Sequence, residues 1–352
     1  MKIIHCSDIH LDSKLEGVNS TERNNELLST FYKMVDYAKS ENVRTIIIAG
    51  DLFDSSRVYV KTKNYIIDLI SQTPEIDFLY LKGNHDLFSP FEGMEMPVNF
   101  KPFFNKWTQY VYDDVTITGI ETDAENYLTL YYDLSLDPNK KNIVVMHGAV
   151  STVSKMDTVN IDELKDKNID YLALGHYHAF VCKPLDKRGI YCYSGCLESR
   201  GFDEIGEKGF VLIDTDQKIK PRLITGFTYR TVYEREVDIT GLSTYLKIKN
   251  AVINAVSDID KRHYLKIKLT GNYNLNTQKD VQHLSLDLNS LFYSVRIEDN
   301  TVLDIKPEEY MYDISLKGEF IRAVLKSDLS QKQKEDIINV GIKALKGEEI
   351  AL

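Results

Sequence analysis

The sequence predicts an α/β fold with a second, smaller α/β domain and a helical C-terminal tail. In the first half, short apolar segments rich in β-branched residues alternate with helix-like segments, which is typical of an α/β sheet. From Gly189 onward, consecutive β-like segments follow one another, which predicts a meander that completes a second sheet. The 352 residues are 43% hydrophobic and 27% charged, enough for about two folded domains.

Five predicted strands organise the first half of the chain. They are Lys2 to Ile4, Thr45 to Ala49, Phe78 to Leu81, Ile143 to Met146 and Tyr171 to Leu174. Predicted helices from Glu22 to Ser40 and from Lys61 to Ser71 lie between the early strands. Each strand ends in residues that commonly bind metal ions. Because the carboxyl ends of such strands meet at one edge of a sheet, we expect these residues to form one site.

The second half of the sequence predicts the meander, a small domain and a helical C-terminal tail. Strands are predicted at 189–193, 209–213 and 221–224, followed by a strand, helix, strand, helix, strand order between about Val232 and Ile305. Two amphipathic helices are predicted near Lys317 to Leu325 and Gln331 to Leu345. We therefore expect domains at 1–228 and 229–310, with a helix pair at 311–352.

Composition excludes several classes of protein. The net charge of −10 has the wrong sign for a protein that binds nucleic acid by bulk charge alone. The first residues have no apolar core of a signal peptide, and no apolar run reaches membrane-spanning length. The four cysteines form no C-x-x-C pair, which argues against a disulfide framework or a cysteine zinc site. We expect a protein of the reducing cytoplasm.

Each cluster at a strand end has an ordinary explanation when it is taken alone. Asp51 could cap the next helix, Asn84 could be a turn residue, and His176 and His178 could be surface histidines. The conjunction argues otherwise, because five of the eight histidines lie in these clusters together with aspartates and an asparagine. Imidazole, carboxylate and amide ligands without thiolate suit Mn²⁺, Fe²⁺ or Zn²⁺. The ligands are too many for one ion, so we expect two divalent metal ions.

The five motifs together resemble the signature of the calcineurin-like metallophosphoesterase superfamily. They are Asp8-x-His10, Gly50-Asp51-x-x-Asp54, Gly83-Asn84-His85-Asp86, His147-Gly148 and Gly175-His176-x-His178. Three further segments resemble the SbcD-type DNA repair exonucleases and their shorter YhaO-like relatives: His5-x-Ser7-Asp8-x-His10-Leu11, Tyr193-Ser194-Gly195 and Gly206-Glu207-Lys208-Gly209-Phe210. This resemblance implies a two-sheet αββα sandwich, a small capping domain that binds DNA and a C-terminal helix pair.

The resemblance also implies a role for each motif residue. One metal ion would be held by Asp8, His10, Asp51 and His178, and the other by Asp51, Asn84, His147 and His176, with Asp51 as the bridge. His85 would protonate or stabilise the leaving oxygen, and Asp86 would orient its imidazole. Asp54 is a third candidate catalytic residue, at a position where archaeal and eukaryotic relatives carry a second histidine and bacterial relatives usually carry aspartate.

DNA contacts are expected from two further groups of residues. Tyr177, between two predicted ligands, could stack on a nucleobase, although most such aromatic side chains simply pack. A basic stretch of the small domain could contact phosphates, although a solvated face is the default for such a stretch: Lys261, Arg262, Lys266 and Lys268.

The resemblance implies a metal-dependent DNA nuclease of DNA-end or double-strand-break repair. It also implies an SbcC-like ATPase partner bound by the C-terminal helices, and a homodimer. Packing of those helices on the protein's own domains is the equally weighted alternative. A small-molecule or cyclic-nucleotide phosphodiesterase or phosphatase stays open, because a fold does not fix the substrate. A catalytically silent DNA-binding scaffold is disfavoured, because no ligand position has been lost.

Overall fold

The apolar segments form the strands that the sequence predicts, in a computed structural model that describes residues 1–13, 15, 18–54, 58–86, 90–216, 218–304 and 310–346. The described strands are β1 (Lys2–Cys6), β2 (Val43–Ala49), β3 (Asp77–Leu81), β4 (Phe100–Pro102), β5 (Thr108–Tyr112), β6 (Val115–Gly119), β7 (Lys141–His147), β8 (Ala149–Ser151), β9 (Thr158–Asn160), β10 (Tyr171–Gly175), β11 (Val181–Pro184), β12 (Ile190–Tyr193), β13 (Phe210–Asp214), β14 (Lys220–Ile224), β15 (Val232–Asp238), β16 (Tyr264–Thr270), β17 (Asn272–Tyr273), β18 (Ser294–Asp299) and β19 (Val302–Leu303). The described helices are α1 (Ser20–Ser40), α2 (Val60–Ser71), α3 (Tyr245–Ala255), α4 (Val281–Asn289), α5 (Leu316–Leu325) and α6 (Gln331–Lys346). The chain divides into two units, Met1–Val232 and Tyr233–Leu352.

Two six-stranded sheets form the first unit. The first sheet has the order β14-β13-β1-β2-β3-β4, and the second has the order β11-β12-β10-β7-β6-β5. In the first sheet, β1 to β4 run parallel, with α1 and α2 in the crossover connections. In the second sheet, β6, β7, β10 and β12 run parallel. This arrangement brings the carboxyl ends of β1, β2 and β3 and of β7, β10 and β12 to the edges where sites of α/β proteins lie.

The two sheets pack face to face, which explains the continuous apolar sequence of β2. Ile46 and Ile48 face the helices α1 and α2, whereas Ile47 and Ala49 belong to the core between the sheets. A strand that is buried on both faces loses the alternation of apolar and polar residues. The two-sheet α/β sandwich is therefore confirmed.

The outer face of the second sheet carries no layer of long helices in the described residues, unlike the αββα arrangement that the resemblance implies. It is covered by an irregular segment that buries Ile120, Leu130, Tyr131 and Leu134, and by a single turn of 3₁₀ helix at Asp162–Leu164. Within the described ranges, α1 and α2 are the long helices of this unit, and both pack on the first sheet.

The second unit has its own core. Strands β15, β16 and β18 form a three-stranded sheet on which α3 and α4 pack through Ile248, Val252, Leu284 and Leu288. The order strand, helix, strand, helix, strand is the one that the sequence predicts. Side-chain caps start the helices: Thr244 accepts from the Lys247 backbone, and Asp280 accepts from the His283 backbone.

The C-terminal helices α5 and α6 pack within this second unit. Their apolar stripe, formed by Ile321, Val324, Ile338 and Ile342, is buried together with Leu275 and Leu303. Other apolar side chains of the tail are exposed, among them Tyr312, Ile314 and Leu316. The stripe therefore stabilises this unit, while residues 347–352 of the expected tail lie outside the described part of the chain. No described helix combines the length and the apolar character that a membrane span requires.

Candidate metal centre

The predicted ligands converge at the carboxyl ends of the central strands. Asp8 and Asp51 follow β1 and β2, Asn84 follows β3, and His147 is the last residue of β7. His176 and His178 follow β10. Asp8, His10 and Asp51 are buried, so the centre lies at the base of this edge.

In the first group of ligands, the Nε2 atoms of two histidines lie close to each other and to two carboxylates. His10 Nε2 lies 3.2 Å from His178 Nε2. Asp8 Oδ1 lies 3.7 Å from His178 Nε2, and Asp51 Oδ2 lies 3.8 Å from His10 Nε2. Burial lowers the pKa of His10, which favours the neutral imidazole that binds metals.

The second group surrounds the amide oxygen of Asn84. His147 Nε2 lies 2.9 Å from Asn84 Oδ1, and His176 Nδ1 lies 3.0 Å from the same oxygen. Asp51 Oδ2 lies 3.4 Å from His147 Nε2, so Asp51 contacts a histidine of each group. The structure thus brings all seven predicted ligands together, with Asp51 between the two groups.

The buried carboxylate of Asp51 favours positive charge on the groups beside it. Burial opposes a proton on His147, but the carboxylate of Asp51 outweighs burial and raises the pKa of His147 to about 9. Burial would likewise raise the pKa of Asp51, but the hydrogen bond from His147 and the charges of His147 and His10 lower it to about 2. The carboxylate of Asp51 therefore favours positive charge at this point of the centre.

The backbone around the ligands is held in an uncommon conformation. Asp8, His10 and Asp51 all have φ between 51° and 54°, the left-handed region that non-glycine residues rarely adopt. Backbone hydrogen bonds between the segments after β1 and β2 hold them there: Asp8 N donates to Gly50 O and His10 N donates to Asp51 O, both at 3.0 Å. Such strain is common where side chains must converge on one point.

Close packing leaves no room for side chains at two glycines. A Cβ atom on Gly50 would lie 2.1 Å from His147 Nδ1, and one on Gly83 would lie 2.1 Å from Asp51 Oδ1. The glycines of these motifs therefore let the backbone approach the ligands directly.

These donors fit a pair of divalent cations. In the first group, both histidines turn their outer Nδ1 atoms toward carboxylates, and their Nε2 atoms lie 3.2 Å apart. A proton on each Nδ1 atom would leave a lone pair on each Nε2 atom for a metal ion. In the second group, the Nδ1 atom of His147 lies 2.9 Å from Ala49 O, which leaves its Nε2 facing only oxygen acceptors. Nitrogen and oxygen atoms that converge in this way form an arrangement that a shared cation stabilises.

His85 lies beside the first group. Its backbone N–H donates to Asp51 Oδ1 at 2.9 Å, and its ring stands edge-on to that of His10, with centroids 4.8 Å apart. Its Nδ1 lies 3.0 Å from the carbonyl oxygen of Asp54. Nδ1–H therefore donates to that carbonyl, which leaves Nε2 of this exposed imidazole free to face a substrate.

The prediction that Asp86 orients the His85 ring was wrong, because no hydrogen bond joins these two side chains in the described part of the chain. The Asp86 carboxylate is buried and accepts from the backbone N–H groups of Leu52 and Phe53, each at 3.1 Å, and of Gly83 at 3.4 Å. Burial, reinforced by the charge of Asp51, raises its pKa to about 6. Asp86 therefore ties the loop after β3 to the loop after β2.

Asp54 lies behind the ligand His10. Its Oδ1 is 3.1 Å from His10 Nδ1, at an angle poorer than that of a good hydrogen bond, and 2.7 Å from Arg200 Nη1. Burial opposes ionisation of Asp54, but His10 and Arg200 outweigh burial and lower its pKa.

Arg200 and Glu204 are site residues that the sequence analysis missed. Glu204 Oε1 lies 2.6 Å from His178 Nδ1, and Arg200 Nη2 lies 3.4 Å from the same carboxylate oxygen. Burial opposes ionisation of Glu204, but its bond with His178 and the charge of Arg200 lower its pKa to about 2. Both residues follow β12, at the same sheet edge as the ligands, and that position was a signal that could have found them.

A cavity of about 760 Å³ opens beside the second group of ligands. Asn84, His147 and His176 form part of its wall. The remaining lining includes the exposed ring of Phe104 together with Lys82, Glu121, Asp123, Met156 and Asp157. A substrate bound at the second group would therefore have space on this side.

The residues expected to contact DNA lie in different surroundings. Tyr177 is exposed, with its ring edge-on to Tyr193 at 5.7 Å. In the second unit, Lys266 is paired with Glu298 at 3.0 Å and Glu234 at 3.5 Å, and Lys268 is paired with Glu234. Lys261 and Arg262 are exposed just before β16. The DNA contacts of all five residues stay a prediction, and for the two paired lysines the charge is already compensated.

Comparisons with known proteins agree with this geometry. The family described as calcineurin-like phosphoesterase matches residues 1–180. The SbcD subunit of the nuclease SbcCD from Staphylococcus saprophyticus is 26% identical, in an alignment that covers 86% of this chain and 92% of that protein. The DNA double-strand break repair protein Mre11 of Sulfolobus acidocaldarius is 25% identical, with coverage of 96% and 95%. The uncharacterized metallophosphoesterase YhaO of Bacillus subtilis is 26% identical over 60% of this chain and 57% of its own length.

Proposed function

The chain belongs to the calcineurin-like phosphoesterase family, and from this premise we propose that it is a metal-dependent DNA nuclease that repairs DNA ends or double-strand breaks. The observation that carries the proposal is the convergence of six further imidazole, carboxylate and amide ligands around Asp51. The relatives named as the SbcD subunit of SbcCD and as Mre11, similar over most of their length, support DNA as the substrate.

The ligand side chains would hold two ions in the two groups described. Asp8, His10, Asp51 and His178 would form the first position, and Asp51, Asn84, His147 and His176 the second. When bound, the two ions supply Lewis acidity and a water molecule of lowered pKa. The mixture of imidazole and oxygen ligands without thiolate favours Mn²⁺, with Fe²⁺ and Zn²⁺ as alternatives.

His85 would serve the leaving oxygen of the cleaved strand. Because its Nδ1–H is engaged by the Asp54 carbonyl at 3.0 Å, a second proton on the ring is carried at Nε2. Nε2 can then donate that proton to the departing alkoxide, a poor leaving group that requires acid help. The hydrogen bond fixes the orientation of the ring for this step.

We also propose an SbcC-like ATPase as partner and a homodimer as the working form. The relative from Staphylococcus saprophyticus is named as one of the subunits of SbcCD, which implies a second subunit for that protein. In this chain the buried stripe of α5 and α6 is already used within the second unit, so a partner would contact the exposed side chains Tyr312, Ile314 and Leu316 instead. Replacing these three by serine should abolish co-purification with the ATPase and leave the nuclease folded. Retained co-purification would refute this contact surface.

A small-molecule phosphodiesterase is the second candidate, and the cavity beside the second ligand group favours it. Its volume of about 760 Å³ is in the range of pockets that bury a small ligand. A cyclic nucleotide could place its phosphate on the ligands and its base against Phe104.

One assay distinguishes the two candidates. Purified protein is incubated with Mn²⁺ and with end-labelled single-stranded, blunt and hairpin DNA, and separately with cyclic nucleotides, each with and without a chelator. The proposal expects Mn²⁺-dependent cleavage of DNA that His85→Ala nearly abolishes; the products also show whether cleavage starts at an end or internally. Hydrolysis of cyclic nucleotides without cleavage of any DNA would contradict it.

A further inference from the structure

The two histidines of the first ligand group share a feature beyond their mutual approach. Each faces a carboxylate with the nitrogen that points away from the group. His178 Nδ1 forms a hydrogen bond of 2.6 Å with Glu204 Oε1. His10 Nδ1 lies 3.1 Å from Asp54 Oδ1, a contact with the charge of the carboxylate that lacks the angle of a good hydrogen bond. A carboxylate on the outer nitrogen fixes the tautomer of a histidine ligand and makes the inner nitrogen more basic.

One guanidinium joins these two carboxylates. Arg200 Nη1 donates to Asp54 Oδ1 at 2.7 Å, and Arg200 Nη2 lies 3.4 Å from Glu204 Oε1. The backbone N–H of Arg200 also donates to Glu204 Oε2 at 2.5 Å. The side chains of Arg200, Asp54 and Glu204 are 18%, 25% and 12% exposed, so solvent screens this network only in part. A planar fork of donors can hold two carboxylates at a fixed separation, which a lysine ammonium cannot.

The second ligand group is supported differently. The Nδ1 atom of His147 lies 2.9 Å from the backbone carbonyl oxygen of Ala49, which is a neutral acceptor. The Nδ1 atom of His176 faces Asn84 Oδ1 within the group itself. The first position therefore has two anionic side chains behind its histidines, whereas the contact described behind a histidine of the second position is the neutral carbonyl of Ala49.

We propose that Arg200 is a positioning residue that holds both histidine ligands of the first metal position through Asp54 and Glu204, and that this position consequently binds its ion more tightly than the second. The inference rests on the proposed dinuclear centre and deepens it. It assigns Asp54 a place behind a ligand and gives the segment after β12 a part in the centre. Removing such support lowers metal affinity by about 10–100-fold in other sites.

The test is a calorimetric titration of Mn²⁺ into the metal-free full-length protein. The wild type should show a tight and a weaker binding event. Glu204→Gln, which keeps size and shape, and Arg200→Ala should each weaken the tight event by about 10–100-fold and leave the weaker event unchanged. Arg200→Lys should not rescue, because one ammonium cannot bridge both carboxylates. Arg235→Ala, on an exposed ion pair of the second unit, is the matched control.

A second readout is independent of turnover. With Co²⁺ bound at the tight position, the visible absorption bands should change in Glu204→Gln and Arg200→Ala, because the histidine geometry changes, and stay unchanged in Arg235→Ala. Equal loss in both binding events, no loss in either, or full rescue by lysine would overturn the inference. A wild type that binds two ions as described but cleaves no DNA would refute the nuclease proposal and leave this inference standing.

Discussion

Glu198 is a buried carboxylate on which the first unit should depend for stability. It lies two residues before Arg200, and its side chain and that of Arg23 are both fully buried. Arg23 Nη2 donates to Glu198 Oε2 at 3.0 Å, and Thr30 Oγ1 donates to Oε1 at 3.0 Å. The backbone N–H of Tyr229 also donates to Oε1. Helix α1 and the segment at Tyr229 are therefore both bound to this one side chain.

Glu198→Ala removes the acceptor from all three donors. An orphaned buried donor costs about 1–3 kcal/mol, and breaking a buried ion pair costs about 3–5 kcal/mol. Because Arg23 keeps its contact with Glu26, we expect a total loss of about 3–5 kcal/mol. Glu198→Gln keeps an oxygen for Thr30 and Tyr229 but replaces the acceptor of Arg23 by an amide N–H₂ donor. Because one of the three hydrogen bonds is lost together with the charge, this variant should cost about 1–3 kcal/mol.

The assay is urea unfolding followed by tryptophan fluorescence, with chelator present so that metal binding does not contribute. Trp107 is the single tryptophan and lies in the first unit, so its signal reports that unit. The control Lys165→Ala breaks an exposed ion pair and should leave the unfolding midpoint unchanged. A loss below about 1 kcal/mol for Glu198→Ala, or equal losses for alanine and glutamine, would show that the hydrogen bonds to Glu198 do not stabilise the first unit in this way.

Three further predictions concern the metal centre. Asp51→Ala should lower the metal content at both positions, because this carboxylate contacts both ligand groups, whereas His10→Ala should chiefly lower the content of one position. Elemental analysis measures the metal content. Two ions retained by Asp51→Ala would exclude Asp51 as the bridge. His85→Ala should keep its metal but lose about 10²–10⁴-fold in DNA cleavage, with a much smaller loss on an activated aryl phosphodiester; equal losses would mean that His85 does not serve the leaving group. Gly175→Ala would place a Cβ atom 2.0 Å from Ala49 O, so we expect the free energy of unfolding to fall by about 1–3 kcal/mol and the metal content to fall as well. Normal metal loading and an unchanged unfolding midpoint would show that the backbone shifts to accommodate the methyl group.

The strands and the ligands could be predicted because their signals are local. Short β-branched runs such as β2 leave few alternatives to a buried strand, and Asp8, Asp51 and His147 each directly follow or end such a run. Their convergence then follows from the geometry of parallel strands. Helix α2 begins one residue before its predicted start, a difference of the size expected at helix ends.

The residues that support the ligands could not be predicted in the same way. Asp86 is adjacent to His85 in sequence, yet the tight turn after β3 directs its carboxylate to the backbone of Leu52 and Phe53. Arg200 reaches Asp54 across 146 positions in the sequence. Contacts of that kind depend on the packing of loops, for which the sequence carries no periodic signal.

The tail shows the limit of a hydrophobic pattern. The spacing of Ile338 and Ile342 predicts an amphipathic helix correctly, but the pattern does not say what covers the apolar side. Here that stripe is buried within the second unit, with Leu275 and Leu303.

Anomalous diffraction from crystals grown with Mn²⁺ would locate the metal positions directly. We expect two anomalous peaks roughly 3.5–4 Å apart, one contacting Asp8, His10, Asp51 and His178, the other contacting Asp51, Asn84, His147 and His176. A single peak, or two peaks of which neither contacts Asp51, would contradict the dinuclear centre and the nuclease function built on it.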